Sequence, residues 1–237
     1  MALPKNSTPI YNLTIPSLDK VVKFRPFLVK EEKALLLAQQ SEDPEVMLNT
    51  LQDIISGCIV DKIDVSSLAI FDIEYIFTQI RAKSVGEEVE LLFKCGHCED
   101  EKAKVKITFD LTNLKVEKNP EHTNKIVLFD NVGIVLKYPS IGIIKKLDNI
   151  QSGNYDDIFS VIIECIDYIF DDQEIYYAKE TPKPELESFL NDLNTSQFAK
   201  IQAFFETMPK IKQDIDFVCP VCKAENHTTL NGLSAFF

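Results

Sequence analysis

A chain of 237 residues has the length of one large domain or two small ones. Its composition, 45% hydrophobic and 26% charged with 16 Phe and 7 Tyr, excludes a largely disordered protein, because that much apolar surface must be buried. The net charge of -12 goes against contact with nucleic-acid phosphates, and no basic patch offsets it: Lys102, Lys104 and Lys106 follow directly on Glu99, Asp100 and Glu101.

Residues 1–9 contain no apolar segment of a secretory signal. The most apolar stretch, 158–170, carries Glu164 and Asp167 and is too short to span a bilayer. The expectation is a soluble protein of a reducing cytoplasm, with no membrane and no nucleic acid among its partners.

In chain order, residues 1–20 hold Pro4, Pro9 and Pro16 and read as an extended N-terminal segment. Residues 21–28 alternate enough for a strand, with Pro26 at its end or on an edge. Residues 30–40 read as a helix. Asp43-Pro44-Glu45 starts another, since Asp caps, Pro fits the first turn and Glu faces the dipole. A third helix is expected from Ser66 or Ser67 to Lys83, before Gly86. Its apolar arc is wide: Leu68, Phe71 and Tyr75 on one side, Ile73, Ile76, Phe77 and Ile80 on another. Such a helix is central in the core, or it also docks on a partner through residues such as Ile73 and Phe77.

Strand patterns follow at 88–93, 102–109, 125–129 and 133–138, the last two a hairpin around Asp130-Asn131. Helices are expected at 140–151 and 156–170, at Pro184, and from Asn194 or Thr195 to Met208-Pro209. Strands return at 211–218 and 225–230. The fold class is therefore α+β, with helical regions around a small mixed β region. Residues 21–237 read as one domain, with a helical insertion at 139–209.

The chemistry lies in Cys95-Gly96-His97-Cys98 and Cys219-Pro220-Val221-Cys222. Two residues between cysteines let one tight turn aim two sulfurs at one point, and two such knuckles complete a tetrahedron about 2.3 Å from a metal. Each knuckle joins two strand-like segments, as in a zinc ribbon, here discontinuous and built from 88–110 and 211–231. The pairs are separated by 120 residues. Closing that loop removes roughly 4 kcal/mol of unfolded-chain entropy. One structural zinc per chain on Cys95, Cys98, Cys219 and Cys222 is the expectation. A redox dithiol or an iron–sulfur cluster uses the same residues. The redox dithiol would place its motif at a strand-to-helix junction, whereas strands lie on both sides here. Four cysteines leave no open position for catalysis.

Cys58 and Cys165 sit on apolar helix faces and read as core residues. Asp156, Asp157, Asp171, Asp172 and Glu174 follow no cation-loop spacing and read as caps. No nucleotide loop, nucleophile elbow or zinc-protease motif is present, and none of the three histidines stands in a catalytic arrangement, which argues against an enzyme. A zinc-ribbon nucleic-acid-binding or transcription-associated protein is the alternative on the same knuckles, and it requires the basic patch that is missing.

The run from Val22 to Lys33 followed by Ala34-Leu35-Leu36, and the run from Phe71 to Gly86, resemble the T4-like bacteriophage baseplate protein family. So do Asn131 to Pro139, Phe204 to Pro209, Gly232-Leu233 and Phe236-Phe237, in the same order. The resemblance implies a non-enzymatic protein of the contractile tail, made in the host cytoplasm and acting in assembly of the baseplate hub. It implies other baseplate or hub proteins as partners and room for an oligomer within the tail, and it is open between a resident of the virion baseplate and an assembly chaperone that leaves. The closing Phe236 and Phe237 then either complete the chain's own core or plug into a partner. One departure from the knuckle pattern is Glu99, which stands where glycine often follows the second cysteine.

Overall fold

In the computed structural model, which describes residues 7–41, 43–145 and 155–232, the chain divides into two units. Unit 1 is Met1–Glu117 with Lys210–Phe237, and unit 2 is Lys118–Pro209. The chain leaves unit 1 at Glu117 and returns at Lys210, and these two residues face each other across a pair of antiparallel strands.

Unit 1 opens with strands β1 (Tyr11–Ile15) and β2 (Lys20–Phe24), paired antiparallel. The first 20 residues are thus partly a strand rather than only an extended segment. Leu13, Ile15, Val22 and Phe24 alternate inward and are buried. The strand expected over 21–28 ends at Phe24, because the chain then bonds elsewhere: the Arg25 N–H donates to the Cys58 carbonyl at 2.9 Å.

Helices α1 (Val29–Ser41) and α2 (Pro44–Cys58) form a hairpin. The Asp43 side chain accepts from the Glu45 N–H, as its position before Pro44 predicts. The Glu31 side chain closes the start of α1: one oxygen accepts from the Leu28 N–H at 2.7 Å, the other from Arg25 at 2.9 Å. Burial raises the Glu31 pKa, but the bonds from Arg25, Leu28 and Lys30 outweigh it and hold the carboxyl below its usual value. The Val22-to-Lys33 run thus encodes a strand end, a helix start and the ion pair that joins them.

Helix α3 (Ile70–Ser84) is the centre of unit 1. Phe71, Ile73, Ile76, Phe77 and Ile80 are all buried, and so are Asp72, Thr78 and Gln79. Burying polar residues costs little here because each has a partner. Asp72 accepts from the N–H and hydroxyl of Ser17, Thr78 donates to the Glu74 carbonyl, and Gln79 to that of Leu111. Ile73 and Phe77, considered above as partner-facing, are 3% and 2% exposed and offer no docking surface in this conformation.

Two hairpins complete unit 1. Strand β3 (Glu88–Lys94) pairs with β4 (Lys104–Asp110), and β10 (Lys210–Val218) with β11 (Glu225–Asn231). The short β5 (Val116–Glu117) adds to the edge of β10.

Unit 2 is an antiparallel sheet in the order β6 (Lys125–Phe129), β7 (Val132–Leu136), β8 (Ile166–Phe170), β9 (Ile175–Tyr177). Helices α4 (Ile141–Ile144), α5 (Tyr155–Cys165), α6 (Lys183–Asn191) and α7 (Thr195–Thr207) accompany it. Ile126, Ile134 and Ile169 of the sheet join Ile162, Leu186 and Phe204 of the helices in one core. This unit begins at Lys118 and carries a four-stranded sheet beside its helices; the helical insertion expected at 139–209 covers its later part, which also contains β8 and β9. The helix expected over 156–170 stops at Cys165. Residues 166–170 instead bridge β7 and β9, and hydrogen bonding on both sides outweighs a pattern that suits either period. Of the helix expected over 140–151, Ile141–Ile144 is seen, and 146–151 lie outside the described residues.

Gly133 of β7 is required by its surroundings. A Cβ there would meet the Phe170 ring at 2.3 Å and the Ile126 carbonyl oxygen at 2.5 Å. Gly133→Ala must move backbone, and it should lower stability by roughly 1–3 kcal/mol, measurable as a fall in melting temperature.

Candidate metal centre

The two knuckles are built alike. In each, a phenylalanine lies two residues before the first cysteine, Phe93 on β3 and Phe217 on β10, and the two rings meet at 5.9 Å between centroids. The N–H of each first cysteine donates to an alanine carbonyl across the hairpin: Cys95 to Ala103 and Cys219 to Ala224, both at 2.9 Å. The Asn226 side chain also hydrogen-bonds to both knuckles. Asn226 on β11 accepts from the Gly96 N–H at 3.0 Å and donates to the Ala224 carbonyl at 3.0 Å.

The turns differ. In the second knuckle the Lys223 N–H donates to the Cys219 carbonyl at 3.1 Å, and Lys223 has φ +62°. The left-handed position therefore falls at Lys223, which also lacks glycine. The first knuckle turns back more widely: the Ala103 N–H reaches the Asp100 carbonyl, and the Asp100 side chain accepts from the Lys102 N–H. Glu99 is not among the described residues with positive φ, so the missing glycine costs nothing there.

This scaffold brings four sulfurs to one place. Those of Cys95, Cys98, Cys219 and Cys222 all lie within 4.8 Å of one another. Sγ of Cys95 is 3.7 Å from that of Cys222, and Sγ of Cys98 is 3.8 Å from that of Cys219. A disulfide needs about 2.05 Å. A tetrahedral ion with metal–sulfur bonds of about 2.3 Å has sulfur–sulfur edges of about 3.8 Å. The cluster therefore has the dimensions to hold one metal ion. His97 and His227 are exposed and lie outside the cluster, and His227 bonds to Asp216 at 2.7 Å.

Backbone donors prepare the site. The His97 N–H, 3.3 Å from the sulfur, draws the Cys95 thiol down to about 6. Burial raises Cys219, but the N–H groups of Cys222 and Val221 outweigh it and lower that thiol too. Burial pushes Cys98 up to about 12. The first cysteine of each pair is thus inclined to the thiolate that metal binding requires. Cys58 and Cys165 differ: burial raises them to about 11 and about 12, as inert core thiols. Asp171 serves a turn, accepting from the N–H groups of Gln173 and Glu174.

A family described as T4 bacteriophage base plate protein matches residues 8–237. The chain belongs to this family. No curated protein and no solved structure matches it. The baseplate family match covers both units and both knuckles, so the cysteine cluster and the inserted unit are internal to the family region. No helix among the described residues of this baseplate protein is long and apolar enough to cross a membrane. Phe236 and Phe237 lie outside the described residues.

Phe93, Phe217 and Asn226 were not singled out from the sequence. The matched Phe-x-Cys spacing in both knuckles was a readable signal for the first two; nothing local marks Asn226. Asn226→Ala should lower stability by about 1 kcal/mol, because it leaves the Gly96 N–H without its partner, and should speed metal loss to a chelator. Lys223→Gly should raise the melting temperature slightly, since the left-handed position costs a non-glycine residue roughly 1 kcal/mol. Thermal melts with and without chelator check both.

Proposed function

We propose that this chain is a non-enzymatic structural or assembly component of the baseplate hub in a T4-like contractile tail, held together by one structural zinc. The observation that carries the tail assignment is the family match over residues 8–237. Membership in a baseplate family supports a place in the virion and other baseplate proteins as partners. The hub is the finer reading, drawn from the resemblance of the Val22-to-Lys33 and Phe71-to-Gly86 runs.

Zinc is supported by the donor set and its size. Four thiolates at tetrahedral spacing suit a soft, redox-silent ion with no open position. The metal's task is then cohesion: it ties β3–β4 to β10–β11 across 120 residues of chain. The two backbone-activated sulfurs, Cys95 and Cys219, come one from each hairpin, so each hairpin supplies a ready ligand.

Elemental analysis of the purified chain should give one zinc per molecule. Cys219→Ser should abolish that content and destabilise unit 1 by roughly 4 kcal/mol or more. A metal-free chain of unchanged stability overturns the zinc assignment. For the hub, a phage lacking this gene should accumulate tail precursors whose baseplates, seen by cryo-electron microscopy, lack a complete hub. Normal tails would overturn that role.

A further inference from the structure

Unit 2 closes on a histidine. Asn119-Pro120-Glu121-His122 form a turn, with proline at the second position, where its fixed φ fits. The His122 N–H donates to the Asn119 carbonyl at 3.0 Å, and the Asn119 side chain accepts from the Glu121 N–H at 2.9 Å. The turn sets the imidazole between two aromatic rings: Tyr138, stacked at 5.6 Å and 19°, and Phe204 of α7 at 5.0 Å. Nδ1 lies 2.9 Å from the hydroxyl of Thr207, the last residue of α7. His122 is near the start of unit 2 and Thr207 near its end, so the ring fastens the two ends of that unit together.

The hydrogen bonds fix the ring's tautomer. A hydroxyl has one proton, and Thr207 gives its own to the Ala203 carbonyl at 2.6 Å. Its oxygen can then only accept, so Nδ1 carries the hydrogen and Nε2 is a bare lone pair. Nε2 is enclosed: less than 1 Å² of it is open to solvent, and it has no hydrogen-bond partner. A proton placed there brings a charge and an N–H without an acceptor, which costs far more than the lone pair alone. Among the described residues, the charged groups on the elements around the ring are Lys118 and Glu121 on its own segment, Lys137 beside Tyr138, and Lys200 and Glu206 on α7. All are exposed, and none bonds to the imidazole. The two ring faces and the C-terminal end of α7 attract a cation, but none of them offers an acceptor in the ring plane at Nε2. Burial alone holds the ring below the usual histidine range.

We propose that His122 is an acid-sensitive clasp: protonation at Nε2 expels the ring from between Tyr138 and Phe204 and frees residues 118–124 from α7. The folded ring resists the proton and the unfolded one does not. The clasp therefore holds fully above about pH 6.5 and weakens as the pH falls below it. It depends on neither the hub assignment nor the metal.

Hydrogen exchange on the full chain, read peptide by peptide and corrected for the intrinsic rate, tests it. Between pH 7 and pH 5.5, opening of peptides from 118–138 and from α7 should rise about threefold or more, toward a one-proton ceiling of about eightfold. His122→Phe keeps a ring in the stack but cannot charge, and it should abolish that rise in the same peptides. Peptides of unit 1, which hold the cysteines, His97 and His227, report any acid release of metal separately. Should the phenylalanine chain not fold, nitrogen NMR of the native chain decides. At pH 7.5 His122 should carry hydrogen on Nδ1 and none on Nε2, and at about pH 6.5, where a free imidazole is half charged, it should remain mostly neutral. Hydrogen on Nε2 at pH 7.5, or a ring half charged at about pH 6.5 or above, overturns the proposal. So does the absence of any acid-induced opening in 118–138 and α7, or an opening that persists in His122→Phe.

Discussion

Four sulfur atoms from segments 120 residues apart meet in a space a few ångströms wide, and unit 1 depends on that meeting. Neither hairpin is stable alone in water, since two-stranded ribbons are marginal. Each gains from the other through Phe93 against Phe217 and through Asn226 reaching Gly96. A metal ion on the four sulfurs would turn those modest contacts into one cross-link, and a cross-link that closes a long loop removes the most unfolded-chain entropy.

A long insertion is compatible with this cross-link because of where it leaves and returns. Glu117 and Lys210 are strand partners, so unit 2 is held between two points already side by side. It supplies its own core, from Ile126 through Phe204, which contains none of the four clustered cysteines. The architecture separates cohesion, which sits in the cysteine cluster, from the exposed apolar sheet face of Val127, Ile175 and Tyr177, which sits on unit 2.

Acidic balance has its own consequence. A net charge of -12 keeps the free chain soluble and makes random association unfavourable. The alternative of a nucleic-acid-binding zinc ribbon requires positive charge around the knuckles. At the first knuckle exposed Glu99, Asp100 and Glu101 stand beside exposed Lys94, Lys102 and Lys104, and at the second Lys223 is followed by Glu225, so neither knuckle carries a net basic patch.

Local sequence was enough for the elements with local causes. Asp43 before Pro44, the helix start read at Asn194 or Thr195 and the Asp130-Asn131 turn are each specified by neighbouring atoms, and all appear, with Asn194 as the cap. The four cysteines were legible too, because Cys-x-x-Cys encodes a turn geometry within four residues. The outcomes that the sequence left open all turn on distant partners. Residues 166–170 carry a pattern that suits helix or strand, and only β7 and β9 on either side decide for strand. Ile73 and Phe77 could face core or partner, and burial of Asp72 and Gln79 beside them, each bonded far along the chain, decides for core. The outward apolar face of the unit 2 sheet is invisible in any one strand. It exists only once register aligns four strands, because a strand shows which residues alternate but not what will cover either side.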